Sequence, residues 1–171
     1  MMKPLTMNDI ANNDLVINNL EFAQAQQTLA GEIDAAHCGR LAETLMPNGK
    51  DANISFKLTG AAKQLRNPSL HLHIEAKLPV PCQRCLDEML VNINLDFNYI
   101  ICNALPTEID ENDDTDWLEA AFEMNLQELI EDELLLAMPI SPMHDHDCSQ
   151  QSMQSGETPN PFAVLKSLNK S

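Results

Sequence analysis

Three runs between residues 52 and 99 alternate apolar and polar side chains without a slip, and they constrain the fold more than any other feature. In "ANISFKL" (52–58) the apolar set is Ala52, Ile54, Phe56 and Leu58; in "LHLHIEAKL" (70–78) it is Leu70, Leu72, Ile74, Ala76 and Leu78; in "VNINLDFNY" (91–99) it is Val91, Ile93, Leu95, Phe97 and Tyr99. A period of two places one set on one face of a strand, so each run reads as a strand with one buried side. The connections, "TGAAKQLRNPS" and the loop that carries Cys82 and Cys85, are too short for a crossover helix. The three strands therefore read as an antiparallel meander.

The strongest helical signal is "NLQELIEDELLLAM" (125–138). Asn125 suits the N-cap and Glu128 completes a capping box; Leu126, Leu129, Ile130, Leu134 and Ala137 form the apolar stripe. Gln127, Glu128, Glu131 and Asp132 are expected on the outer face. Pro139 ends the helix and pushes Met138 towards an extended conformation. Weaker helical signals lie at "MNDIANN" (7–13) and "AAHCGRLAETLM" (35–46), and "MPNGKD" (46–51) is a turn cluster. "LPTEIDENDDTD" (105–116) is an acidic loop without the glycine and terminal glutamate of a calcium-binding EF-hand loop. The class expected is α+β: an antiparallel meander sheet, open or barrel-like, packed by an acidic amphipathic helix. Residues 1–148 read as one domain, 149–160 as a flexible linker, and 161–171 as a C-terminal docking helix with Pro161 in its first turn and Phe162, Leu165 and Leu168 on one face.

The formal charge of −16 is unevenly spread. Residues 1–84 hold 8 basic and 8 acidic side chains; residues 85–165 hold 18 acidic and no Lys or Arg; Lys166 and Lys170 close the chain. An anionic half repels phosphate and attracts basic polypeptides, although plain solubility explains it as well. Direct RNA contact would need Lys57, Lys63, Arg66, Lys77 and Arg84 to gather on one face. No stretch of about 20 apolar residues and no signal-peptide core is present, so a soluble, cytoplasmic protein without a membrane partner is expected. Five cysteines in such a compartment read as thiols or metal ligands rather than disulfides.

"PVPCQRCLDE" (79–88) holds Cys82 and Cys85 between two strands, and "HDHDC" holds His144, His146 and Cys148 just after the strong helix. C-x-x-C spacing lets two thiolates reach one zinc ion, and Cys148 with one imidazole would complete a Cys₃His tetrahedron. The residues alone leave this open against two unrelated clusters. A redox motif fits less well, because no helix N-terminus follows Cys82. His71 and His73, with Glu75 and Lys77, could chelate at i and i+2, but also suit a solvated sheet face. His37 and Cys38 have no evident partner, and Cys102 ends a strand at the core or the edge. Nucleotide-binding and nucleophile-elbow motifs are missing.

Three blocks, "CQRCL", "LQELIEDELLLAMPISPMH" with its His/Cys cluster, and the C-terminal "NPFAVLKSL", together resemble the large ribosomal RNA subunit accumulation protein YceD family over about residues 70–168. The resemblance implies a role in synthesis, processing or stability of 23S rRNA, with large-subunit rRNA or its precursor, or a basic ribosomal protein, as partner, and no established catalytic residue. Some relatives carry Cys at the position of His144, which implies Cys82, Cys85, His144 and Cys148 as ligands of one structural zinc; His146 is additional to that pattern. The expectation is a non-enzymatic ribosome-biogenesis factor. The rivals are an acidic zinc-stapled adaptor and a thiol- or metal-dependent enzyme.

Overall fold

The computed structural model describes residues 15–47, 52–62, 67–105 and 116–148. The expected features at 7–13, in most of the 46–51 turn, in the body of the acidic loop (106–115), and in the linker and C-terminal helix (149–171) lie outside the described residues. In chain order the elements are β1 (Val16–Ile17), α1 (Asn19–Gln24), β2 (Thr28–Asp34), a 3₁₀ turn (Ala35–His37), α2 (Gly39–Ala42), β3 (Asn53–Ala61), β4 (Ser69–Pro81), β5 (Glu88–Cys102), β6 (Asp116–Glu119), β7 (Met124–Asn125) and α3 (Leu126–Ala137).

The three alternating runs are β3, β4 and β5, paired antiparallel as expected. Their registers stack the apolar positions in rows across the sheet: Phe56 opposite Ile74 and Ile74 opposite Leu95, then Leu58 opposite Leu72 and Leu72 opposite Phe97. Leu58, Leu72 and Ile74 are wholly buried. Each such side chain contributes about 1.5–3 kcal/mol over its exposed state, so a one-residue slip of register would forfeit the whole row.

The sheet is longer than the meander and is not a barrel. Its order is β2-β3-β4-β5-β6, with β6 parallel to β5. After β5 the chain adds β6 alongside it and does not return to β2, so among the described residues the two outer strands do not pair and the sheet is open. β2 and α1 carry no clear signal in the sequence. In β2 only Ile33 is buried, because an edge strand with Gly31 at its centre has little face to declare. In α1, Asn18 caps the start by accepting from the Glu21 N–H at 3.1 Å. The helix lies against β3 where Gly60 leaves room: a Cβ there would stand 2.5 Å from the Phe22 carbonyl oxygen. The expected helix over 35–46 is split into the 3₁₀ turn and α2, because Cys38 between them is extended.

In α3, Asn125 caps the N-terminus by accepting from the Gln127 and Glu128 N–H groups, and Met138 is extended before Pro139, as expected. Leu126, Ile130 and Leu134 enter the same continuous core as the sheet and α1. Two positions differ from the expected stripe. Ala137 is exposed, being in the last turn beyond the core. Glu131 is buried at 6% exposure although its carboxylate belongs in water. It accepts from the N–H groups of Arg40 (2.6 Å) and Leu41 (2.9 Å) at the start of α2, with the Arg40 guanidinium 3.5 Å away. A buried carboxylate is tolerable only when it is satisfied in this way, and here it ties α3 to α2. No helix among the described residues is long and apolar enough to cross a membrane.

Candidate metal centre

The hairpin between β4 and β5 closes at the Pro81–Glu88 pair. Beyond it the Cys82 N–H donates to the Asp87 carbonyl (2.9 Å) and the Leu86 N–H to the Cys82 carbonyl (2.9 Å). Leu86 has φ 65°, in the left-handed region that a branched side chain rarely adopts. That turn curls residues 82–87 back on themselves and points the Arg84 N–H at Cys82 Sγ, 3.5 Å away. Strain held at one residue while amides converge on a sulfur is the build of an anion- or metal-thiolate-holding loop.

The second half arrives from the far side of α3. The Gln83 N–H donates to the Pro142 carbonyl at 2.8 Å, which docks the 139–148 segment on the hairpin tip. Arg84 extends this: its Nη1 donates to the His146 carbonyl (3.3 Å) and lies 3.8 Å from the Asp147 carboxylate, while Nη2 is 3.9 Å from Met143 Sδ. So Cys148 Sγ stands 3.7 Å from Cys82 Sγ, and His144 Nδ1 stands 3.5 Å from Cys85 Sγ. All four donor atoms lie within 4.8 Å of one another. Tetrahedral zinc, with Zn–S about 2.3 Å and Zn–N about 2.1 Å, requires S···S edges of about 3.8 Å and S···N edges of about 3.6 Å. The donor set fits zinc in type, and the Cys82–Cys148 and Cys85–His144 edges fit it in spacing. The other ring nitrogen of His144 is 3.3 Å from the Glu88 carbonyl, a partner that holds the proton on Nε2 and leaves Nδ1 free to ligate.

Cys82 is wholly buried yet stands outside the continuous core, so what covers it is the site itself. Burial opposes its ionisation, but the N–H groups of Cys85, Arg84 and His144 outweigh burial and bring the thiol down to about 5. For Cys85 the Asp87 N–H favours the thiolate, but burial and the neighbouring thiols of Cys148 and Cys82 prevail and push it up to about 11. Crowded sulfurs that cannot all ionise alone are the arrangement a cation relieves.

His146 does not join the cluster. Its ring is tilted against that of His144 with centroids 4.9 Å apart, and it is exposed. His71 and His73 do not join either: they stand on the open face of the sheet and pair with Asp96 and Glu75. His37 is exposed beside Asp34, and Cys38 is buried near Gln127, its thiol pushed up to about 11 by burial and then by Glu131. Cys102 ends β5, partly buried, with its sulfur on the Leu118 carbonyl. The basic residues do not assemble a phosphate-binding face among the described residues. Arg84 is turned to the 143–147 segment, and Lys57 and Lys77 share the open face with Glu75 and Asp96; Lys63 and Arg66 lie outside the described residues. The latch role of Arg84 had no signal in the sequence beyond its place inside C-x-x-C.

The family described as Large ribosomal RNA subunit accumulation protein YceD matches residues 70–169, a span that holds every member of the cluster. The chain is also 27% identical over 170 residues to the large ribosomal RNA subunit accumulation protein YceD of Haemophilus influenzae, covering 90% of this chain and 94% of that protein. No solved structure matches.

Proposed function

Since the chain belongs to the large ribosomal RNA subunit accumulation protein YceD family, we propose that it is a non-catalytic factor in accumulation of large-subunit rRNA, stapled by one structural zinc ion. The observation that carries the reading is the approach of Cys82, Cys85, His144 and Cys148 within 4.8 Å, from two chain segments that share no strand or helix. Bound zinc would supply a cross-link between the β4–β5 hairpin and the segment after α3, and no reactive group. A closed four-ligand set leaves no open position for a substrate. The chain's own residues do the rest: Arg84 and the Gln83 N–H hold the segment in place, and the Glu88 carbonyl orients His144.

The anionic second half supports a basic ribosomal protein, rather than the phosphate backbone, as the direct partner, with 23S rRNA reached through it. A thiol enzyme draws support from the lowered Cys82 thiol, but that sulfur is buried and faces Cys148 at 3.7 Å. The test has two arms. Untagged protein is expected to carry about one zinc per chain, consistent with one tetrahedral site. A deletion strain is expected to lose 23S relative to 16S rRNA, with rescue by the parent chain. Normal 23S levels in the deletion strain would sink the functional reading, and metal-free native protein would sink the staple.

A further inference from the structure

Phe122 is 87% exposed, in the short loop between β6 and β7, and it does not sit on a loose loop. The wholly buried Asn19 holds that loop from inside. Its Nδ2 donates to the Glu119 carbonyl and its Oδ1 accepts from the Ala121 N–H, both at 2.9 Å, and its own N–H donates to the Ala121 carbonyl at 3.2 Å. A third element joins through the Ala120 N–H, which donates to the Cys102 carbonyl at 2.9 Å. The Asn19 Nδ2 also reaches Met124 Sδ at 3.8 Å, so one buried amide ties both ends of the loop, and a loop held in this way that keeps a phenyl ring in water presents an anchor for something else.

Beside the ring lies an open groove of about 470 Å³ whose apolar wall includes Leu20, Ala120 and Ala121. Among the described residues the one charged side chain lining it is Glu21, and exposed Glu119 and Glu123 flank Phe122 in sequence. No basic residue among the described ones lines it. We propose that this groove is the docking site for a cationic polypeptide segment that inserts an apolar side chain against Phe122 and sets its Lys or Arg groups among Glu21, Glu119 and Glu123. Glu21 in the groove, with exposed Glu119 and Glu123 close to Phe122 in sequence, disfavours phosphate and favours a basic chain, while the ring and the apolar wall supply contact that salt does not screen. The proposal rests on the reading that the direct partner is a basic protein, and it names where that partner sits.

The test titrates the full chain into a short fluorescein-labelled peptide alternating Lys and Leu, at low and at physiological salt, and follows anisotropy. A Glu/Leu peptide and a labelled single-stranded RNA serve as comparators. The Lys/Leu peptide alone is expected to bind. Phe122→Ala, with an unchanged melting temperature, is expected to weaken binding about tenfold at both salt concentrations. Glu21→Gln and Glu123→Gln are expected to weaken it about threefold each, mainly at low salt. Asp96→Asn on the open sheet face is expected to leave it unchanged.

Equal binding by parent and Phe122→Ala overturns the groove while leaving a diffuse acidic surface as partner site. No binding by the parent overturns both readings. Phe122-dependent binding of RNA, Phe122-dependent self-association, or binding that emerges only after deletion of residues 1–14 would each hand the groove to a different occupant and overturn the proposal.

Discussion

His71 and His73 stand on the open face of β4 beside Asp96, whereas Cys82 and Cys85 stand at the tip where β4 turns into β5. Both groups have metal-capable side chains at short spacing on the same hairpin, yet only the second converges. Along a strand, residues i and i+2 project side by side about 6.5–7 Å apart, and nothing curls them towards a common centre. His73 is therefore left to bond Asp96 at 2.9 Å and Glu75 at 3.3 Å, as a solvated face does. At the tip, the left-handed Leu86 bends the chain around Cys82, and a second segment brings His144 and Cys148 over it. Chelation needs curvature and a second element, not merely ligand-type residues at a chelating interval.

The largest effect should separate the two groups outright. Cys82→Ser is expected to abolish zinc retention, and loss of a structural centre would lower Tm by about 10 °C or more. His73→Ala should keep the zinc and change stability by less than about 0.5 kcal/mol. Elemental analysis and thermal melts of both variants check this; equal behaviour would erase the distinction between them. At the next scale lies the choice of imidazole. His144→Ala should weaken zinc binding by about 100-fold in chelator competition, Arg84→Ala by about tenfold, and His146→Ala by less than about threefold. A larger loss at His146 than at His144 would move the fourth ligand.

The smallest effect lies on the open face. Hydrogen bonds donated by the His73 ring to Asp96 first and Glu75 second raise its pKa above the ordinary value. Because the folded value is the higher one, its contribution to stability is fully present below about pH 6.5, the ordinary histidine value, and is lost as pH rises through the folded pKa. An NMR titration should place the His73 midpoint above that of an unpaired histidine, and Asp96→Asn should lower it. A midpoint unmoved by Asp96→Asn would mean that the pair does not hold charge, and the face would read as merely polar.

How much was legible in advance follows from where the information lies. The rows Phe56–Ile74–Leu95 and Leu58–Leu72–Phe97 could be anticipated because a period of two is written into each strand, and burying one face leaves one register. Edge strand β2 escaped because only Ile33 is buried, and Glu131 escaped because its partners, the Arg40 and Leu41 N–H groups, lie about ninety residues away in sequence. Each half of the candidate site was visible as a short spacing, C-x-x-C and His-x-His-x-Cys. Their meeting was not, since it depends on the Gln83 N–H reaching the Pro142 carbonyl and on Arg84 reaching the 143–147 segment. The Phe122 groove left no trace at all, because exposure of one phenylalanine is decided by how the buried Asn19 holds the loop around it.

Local periodicity, caps and charge order are properties of neighbours along the chain, so the sequence alone determined the three central strands, the capped helix α3 and the division into a neutral and an anionic half. Which thiol meets which imidazole, which carboxylate is buried and which apolar ring is left in water are properties of neighbours in space. Only packing decides them, because a side chain's partners are set by the folded path between segments that the sequence keeps far apart.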